Sequence, residues 1–144
     1  MSSQKMIFGL YVIFFSMLSL IGCSVTTEPE ETNSLPNNTS VTFTSVQKEV
    51  FDKSCALAGC HSGVDAAAGM NLSAGSAYAN LINIVSVRNA IFVRVQPGNS
   101  ANSFIIKMLR NTGENTRIMP PSGTLNESSI QLVENWINNG AKND

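Results

Sequence analysis

The seven residues CALAGCH, Cys55 to His61, restrict this chain more than any other stretch. They hold two of its three cysteines and its only histidine, with the second cysteine directly before the imidazole. Whatever chemistry is assigned here must work with a single imidazole. A blue-copper centre, which needs two histidines, therefore fails by counting. A Ser-His-Asp triad would have to take the same ring away from its two cysteines, and no such set can be argued. At 144 residues the chain suits one domain. Only 13% of residues are charged, the formal net charge is −1, and no Lys/Arg cluster could neutralise a run of phosphates, so the composition excludes nucleic-acid binding.

Much of the apolar content lies at the start. Lys5 precedes the run MIFGLYVIFFSMLSLIG, Met6 to Gly22, which reads as an export signal, residues 1–22. A run of this length could also span a bilayer, so a plain membrane anchor with an incidental cysteine is the rival reading. The run ends Leu20-Ile21-Gly22-Cys23, which resembles the lipobox of bacterial lipoproteins. That resemblance implies cleavage before Cys23 and lipidation of Cys23, and it implies a place in the cell envelope. Ser24 fits the outer membrane, on its periplasmic or surface face. The following SVTTEPEETNSLPNNTS has almost no large apolar residue and reads as a tether, so residues 23–43 form the lipidated cysteine and spacer and residues 44–144 the folded domain. In an oxidising compartment Cys55 and Cys60 are expected to be bonded, to each other or to something else.

Within the domain the pattern is all-α, with short helices and long loops. Ser45 can cap a helix VQKEVFDKS that turns Val46, Val50 and Phe51 to one side and runs into Cys55. A second helix is expected in AYANLINI, with Tyr78, Leu81 and Ile82 inward. SVRNAIFVRV is partly extended and stops at Pro97-Gly98, and SANSFIIKMLR is helical with Phe104, Ile105, Met108 and Leu109 inward. The last helix has Asn126 as N-cap, Leu125 stapling onto Ile130, a stripe of Ile130, Val133, Trp136 and Ile137, and Gly140 at C′. So few and such short apolar faces leave the middle of the domain short of filling, which points to a large apolar cofactor.

Cys-x-x-Cys-His is the attachment site of c-type haem, where two thiols add to the porphyrin vinyl groups and the adjacent imidazole binds iron. Here the Cys60-His61 pair is intact and the gap is widened to Ala56, Leu57, Ala58 and Gly59, small enough to bulge out. Downstream, Met119-Pro120-Pro121 resembles the Met-Pro loop that carries the sixth ligand in bacterial cytochromes c. A thioether there favours ferrous iron and raises the potential. Met70 and Met108 compete for that role, Met108 being better read as helix packing. Two rivals need no haem. One is a Cys55–Cys60 disulfide stapling a binding or structural lipoprotein. The other is zinc on Cys55, Cys60, His61 and an acid such as Asp65, although adjacent Cys60 and His61 rarely both reach one small tetrahedral ion.

The order helix, Cys…CysHis, GMNL, AYANL, VQPGNSANSFIIKML, MPPSG and LNESSIQLVENWINNGA resembles the cytochrome c-like domains of exported bacterial proteins over nearly all of residues 44–142. The resemblance implies an all-α, cytochrome c-like fold around one covalent haem c, with the first and last helices packed together near Val50, Phe51, Ile130, Val133 and Ile137. It implies thioethers at Cys55 and Cys60, axial ligands His61 and Met119, and Trp136, Arg94 and Arg117 near the haem edge or propionates. With both axial positions filled, the implied role is electron transfer between redox proteins of the cell envelope rather than catalysis, on a membrane reached through the lipid. A haem lacking Met119 would be five-coordinate, open to peroxidase or gas-sensing chemistry.

Overall fold

The first helix starts where Thr42 and Ser45 satisfy each other's backbone. In the computed structural model, which describes residues 41–114 and 117–144, Thr42 Oγ1 accepts the Ser45 N–H and Ser45 Oγ accepts the Thr42 N–H, both at 3.1 Å. This is a capping box, and it makes Thr42, not Ser45, the N-cap. Ser45 is the third residue of helix α1, Phe43–Val46, which continues as a wider π-helical stretch, Gln47–Cys55. The helix leaves this form at Ala56, whose N–H donates to the Phe51 carbonyl five residues back at 2.8 Å. Phe43 stands in the core although the sequence reading put it in the tether, so the packed part begins before Thr44. The export signal, Cys23 and the spacer to residue 40 lie outside the described residues.

The described residues are all-α: there is no sheet among them, only the isolated bridges Ile82–Val95 and Val85–Val93. Helix α2, Ala77–Leu81, buries Ala77 and Leu81 and ends there because Ile82 turns extended and Asn83 is left-handed. Helix α3, Phe104–Arg110, starts later than SANSFIIKMLR suggests. Asn99 Oδ1 accepts the Asn102 N–H at 3.0 Å, and Ser103 Oγ donates to the Asn99 carbonyl at 2.8 Å, so residues 99–103 form a side-chain-tied turn. Phe104, Ile105, Met108 and Leu109 are buried as expected, with Ile106 as well.

Helix α4, Glu127–Asn138, follows its sequence signals end to end. Asn126 Oδ1 accepts the Ser129 N–H at 2.8 Å. Gly140 and Ala141 donate to the carbonyls of Ile137 and Trp136, at 3.0 and 2.9 Å, the pair of bonds of a Schellman motif. Its stripe of Ile130, Val133, Trp136 and Ile137 packs in one core with Val46, Val50 and Phe51 of the first helical segment. Phe43 lies at the join, 5.2 Å between ring centroids from Trp136 and 5.3 Å from Tyr78. Asp144 closes onto the first helix: it accepts the Phe43 N–H through Oδ1 at 2.9 Å and the Thr44 N–H through its main-chain oxygen at 3.0 Å. At the surface, Arg110 bridges α3 to α4 through Glu127 and Glu134, which raise its pKa. Such exposed pairs add little stability.

Candidate functional site

The widened spacer of CALAGCH is folded into a turn. Cys60 N–H donates to the Leu57 carbonyl at 2.9 Å, with Gly59 at φ 76° in the third position, where glycine meets no steric penalty. His61 N–H then donates to the Cys55 carbonyl at 3.1 Å, which brings the histidine back beside the first cysteine. Leu57, Ala58 and Gly59 project to solvent, so four spacer residues are taken up without moving Cys55 away from His61. Ser62 Oγ braces the same loop through the Leu57 carbonyl at 3.0 Å.

A second turn holds the imidazole. Ala67 N–H donates to the Cys60 carbonyl and Leu72 N–H to the His61 carbonyl, both at 2.8 Å. Between them the Ala67 carbonyl lies 3.1 Å from His61 Nδ1 and accepts its proton, which leaves Nε2 as the ring's lone-pair donor. Burial pushes the imidazole below its ordinary pKa against the opposing pull of the Ala67 and Met70 backbone, and the Arg88 and Arg94 charges push it further down. That direction favours the neutral ring, the form a metal ligand needs.

Cys55, His61 and Met119 line one pocket, partly open to solvent, with room for about 70 Å³ of water-sized contents, less than the roughly 300 Å³ at which small-molecule sites begin. Its walls are mostly aliphatic and aromatic, from Val50 and Phe51 on the first helical segment to Phe104 and Leu109 on α3. Cys60 is outside the lining, one residue from His61. Met70 and Met108 line the pocket along with Met119, so all three candidate methionines border one space, Met108 included despite its place on the packed side of α3. The Met119 loop is tied to α3 by its N–H, which donates to the Met108 carbonyl at 3.1 Å.

The proposed haem-edge residues divide. Arg94 lines the pocket and is 7% exposed, and its guanidinium donates to the carbonyls of Ala68, Gly69 and Asn80 at 2.9, 3.2 and 2.8 Å. Arg117 is exposed and does not line the pocket. Trp136 is a core residue away from it: the indole is 1% exposed and its Nε1 donates to the Lys142 carbonyl at 2.9 Å. The α4 stripe correctly marked Trp136 as buried, but burial there is against Phe43, not the pocket. Arg88, which sequence reasoning passed over, does line it, and nothing in SVRNA marks it.

Among the described residues, Cys55 and Cys60 are free thiols. Among the described residues no three His, Cys, Asp or Glu side chains come together as a metal-holding group. Burial, helped by Cys60, pushes the Cys55 thiol up to about 11 from 9.0. Its thiolate fraction at pH 8 is thus about a hundredfold lower than an unperturbed thiol's. In haem-free protein, iodoacetamide should modify Cys55 correspondingly slowly at pH 8, with the rate rising about tenfold per pH unit towards pH 11. Peptide mapping of the alkylated protein measures this, and a Cys55 rate matching a free peptide thiol at pH 8 would contradict it. No family model, curated protein or solved structure matches this chain.

Proposed function

We propose that residues 41–144 form a cytochrome c-like domain carrying one covalent haem c, and that it passes single electrons between redox proteins of the cell envelope. The observation that carries this reading is the convergence of Cys55, His61 and Met119 on one apolar pocket, with Cys60 hydrogen-bonded into the same loop. Two thiols, an imidazole with Nε2 available, thioether sulfurs and an apolar space are the donor set such a group requires. Bound there, haem supplies reversible one-electron exchange between ferric and ferrous iron.

The chain's own residues account for the remainder. Cys55 and Cys60 anchor the macrocycle, and His61, fixed by the Ala67 carbonyl, presents Nε2 to the metal. Met119 offers a soft sulfur from a loop stiffened by Pro120 and Pro121, so little has to reorganise when the metal changes oxidation state. The walls are mostly apolar, and Arg88 and Arg94 place positive charge where carboxylate substituents would lie. Upstream, the Leu-Ile-Gly-Cys23 sequence supports export and a lipid anchor at Cys23, which would hold the domain at the envelope on its spacer.

A pyridine haemochrome spectrum of the full chain, made in a host with haem-ligation machinery, tests the reading, together with the intact mass. Covalent haem gives the band of a thioether-linked porphyrin and a mass increase of one haem. Colourless protein that has lost two hydrogens would instead establish a Cys55–Cys60 disulfide and end the electron-transfer reading.

A further inference from the structure

Arg94 is a charged group buried at the pocket wall, and among the described residues no carboxylate lies within ion-pair distance of it. Burying a guanidinium is unfavourable unless its donors are satisfied, and burial pushes its pKa down. Three backbone carbonyls accept from it, and two of these belong to one turn, at Ala68 and Gly69. That turn is strained. Ala68 and Gly69 both have left-handed backbones, φ 56° and 57°, a conformation that alanine adopts only when its surroundings impose it. The guanidinium fork lies across both carbonyls and is the one side chain seen to do so. The residue before them, Ala67, supplies the carbonyl that accepts from His61 Nδ1.

We infer that Arg94 is a positioning residue for His61. By clamping the Ala68 and Gly69 carbonyls it holds the strained turn in place, so that the Ala67 carbonyl accepts the Nδ1 proton and Nε2 is left as the metal-binding nitrogen. A planar fork reaches two adjacent carbonyls at once, whereas a lysine ammonium keeps the charge but is a single point. The clamp stands on the haem-free geometry, and only its consequence for iron rests on the function proposed above.

The test uses the full chain, wild type and Arg94→Lys, made with and without haem ligation. In haem-free wild type, long-range ¹⁵N NMR at a fixed pH where the ring is neutral should show the Nδ1–H tautomer of His61. Arg94→Lys should move the tautomer ratio about fivefold towards Nε2–H, the worth of one ordinary hydrogen bond. In the haem-loaded protein the same variant should raise the reduction potential, because a proximal imidazole that has lost its carbonyl partner donates less charge to ferric iron while the cation beside the pocket is retained. An Nε2–H tautomer in the wild type overturns the inference even if the variant does not fold. An unchanged tautomer ratio and potential in a folded Arg94→Lys protein also overturns it, leaving Arg94 a purely structural cation. Absence of covalent haem in the wild type, with the tautomer shift still seen, would sink the proposed function and leave the clamp standing.

Discussion

Met119→Ala protein loaded with haem should be high-spin and should bind added imidazole or cyanide, where haem-loaded wild type should be low-spin and should resist both. The substitution removes the thioether and little else, because the loop is held by the Met119 backbone N–H on the Met108 carbonyl, a bond that alanine keeps. Losing a sulfur ligand should also lower the potential by a sizeable part of the roughly 0.8 V range that axial ligands span. The two other pocket methionines serve as controls. Met70→Ala should leave the spectrum unchanged. Met108→Ala should also leave it unchanged while costing about 2–5 kcal/mol of stability, since Met108 is largely buried on α3. Optical spectra of the three variants decide the matter. A Met119→Ala spectrum identical to wild type, with the change appearing in Met70→Ala, would move the sulfur ligand to the turn that Arg94 clamps.

Trp136→Ala should have the largest effect on folding. Removing this indole takes away its packing against Phe43 and the Nε1 bond to the Lys142 carbonyl, and it leaves a cavity where the first and last helices meet. Fully buried Trp→Ala changes cost about 3–5 kcal/mol, a large share of the 5–15 kcal/mol that holds a typical domain together. The melting temperature should fall by well over about 10 °C. Trp136→Phe should recover most of this and lack mainly the hydrogen bond, about 1 kcal/mol. Because Trp136 does not line the pocket, Trp136→Phe should keep the wild-type haem spectrum; thermal melts beside visible spectra separate the two effects. A Trp136→Ala melt within a few degrees of wild type would show that the join between the first and last helices contributes little.

How legible each part was in the sequence follows from how local its determinants are. Helix α4 could be read from Asn126 to Gly140 because its cap, stripe and terminator all act within a turn or two of themselves. The first helix was legible as a helix with Val46, Val50 and Phe51 buried, but its cap was not. Thr42 and Ser45 both accept backbone N–H groups well, and only the extended backbone at Thr42 shows which one stands outside the helix. Its π-helical continuation left no mark, since the same three apolar residues face inward in either winding. The late start of α3 depends on Asn99 and Ser103 competing for the backbone with the first helical turn, a contest among several similar Ser and Asn residues. At the site, the spacing in CALAGCH suggested that the extra residues would bulge, and the turn at Gly59 does this. The partners of Arg94, by contrast, are carbonyls 14 to 26 residues away and carry no side-chain signature at all. Trp136 illustrates the limit of a periodic stripe: it reports that a face is covered, not by what.

The hydrogen bonds from Phe43 and Thr44 to Asp144 place the two ends of the domain at one pole. A pull arriving through Val41 would be borne first by those bonds and by the Phe43–Trp136 contact, and so would load α4. Because Phe43 also meets Phe51, 6.3 Å between ring centroids, and Phe51 lines the pocket, tension at that seam would reach the pocket wall through a single aromatic contact.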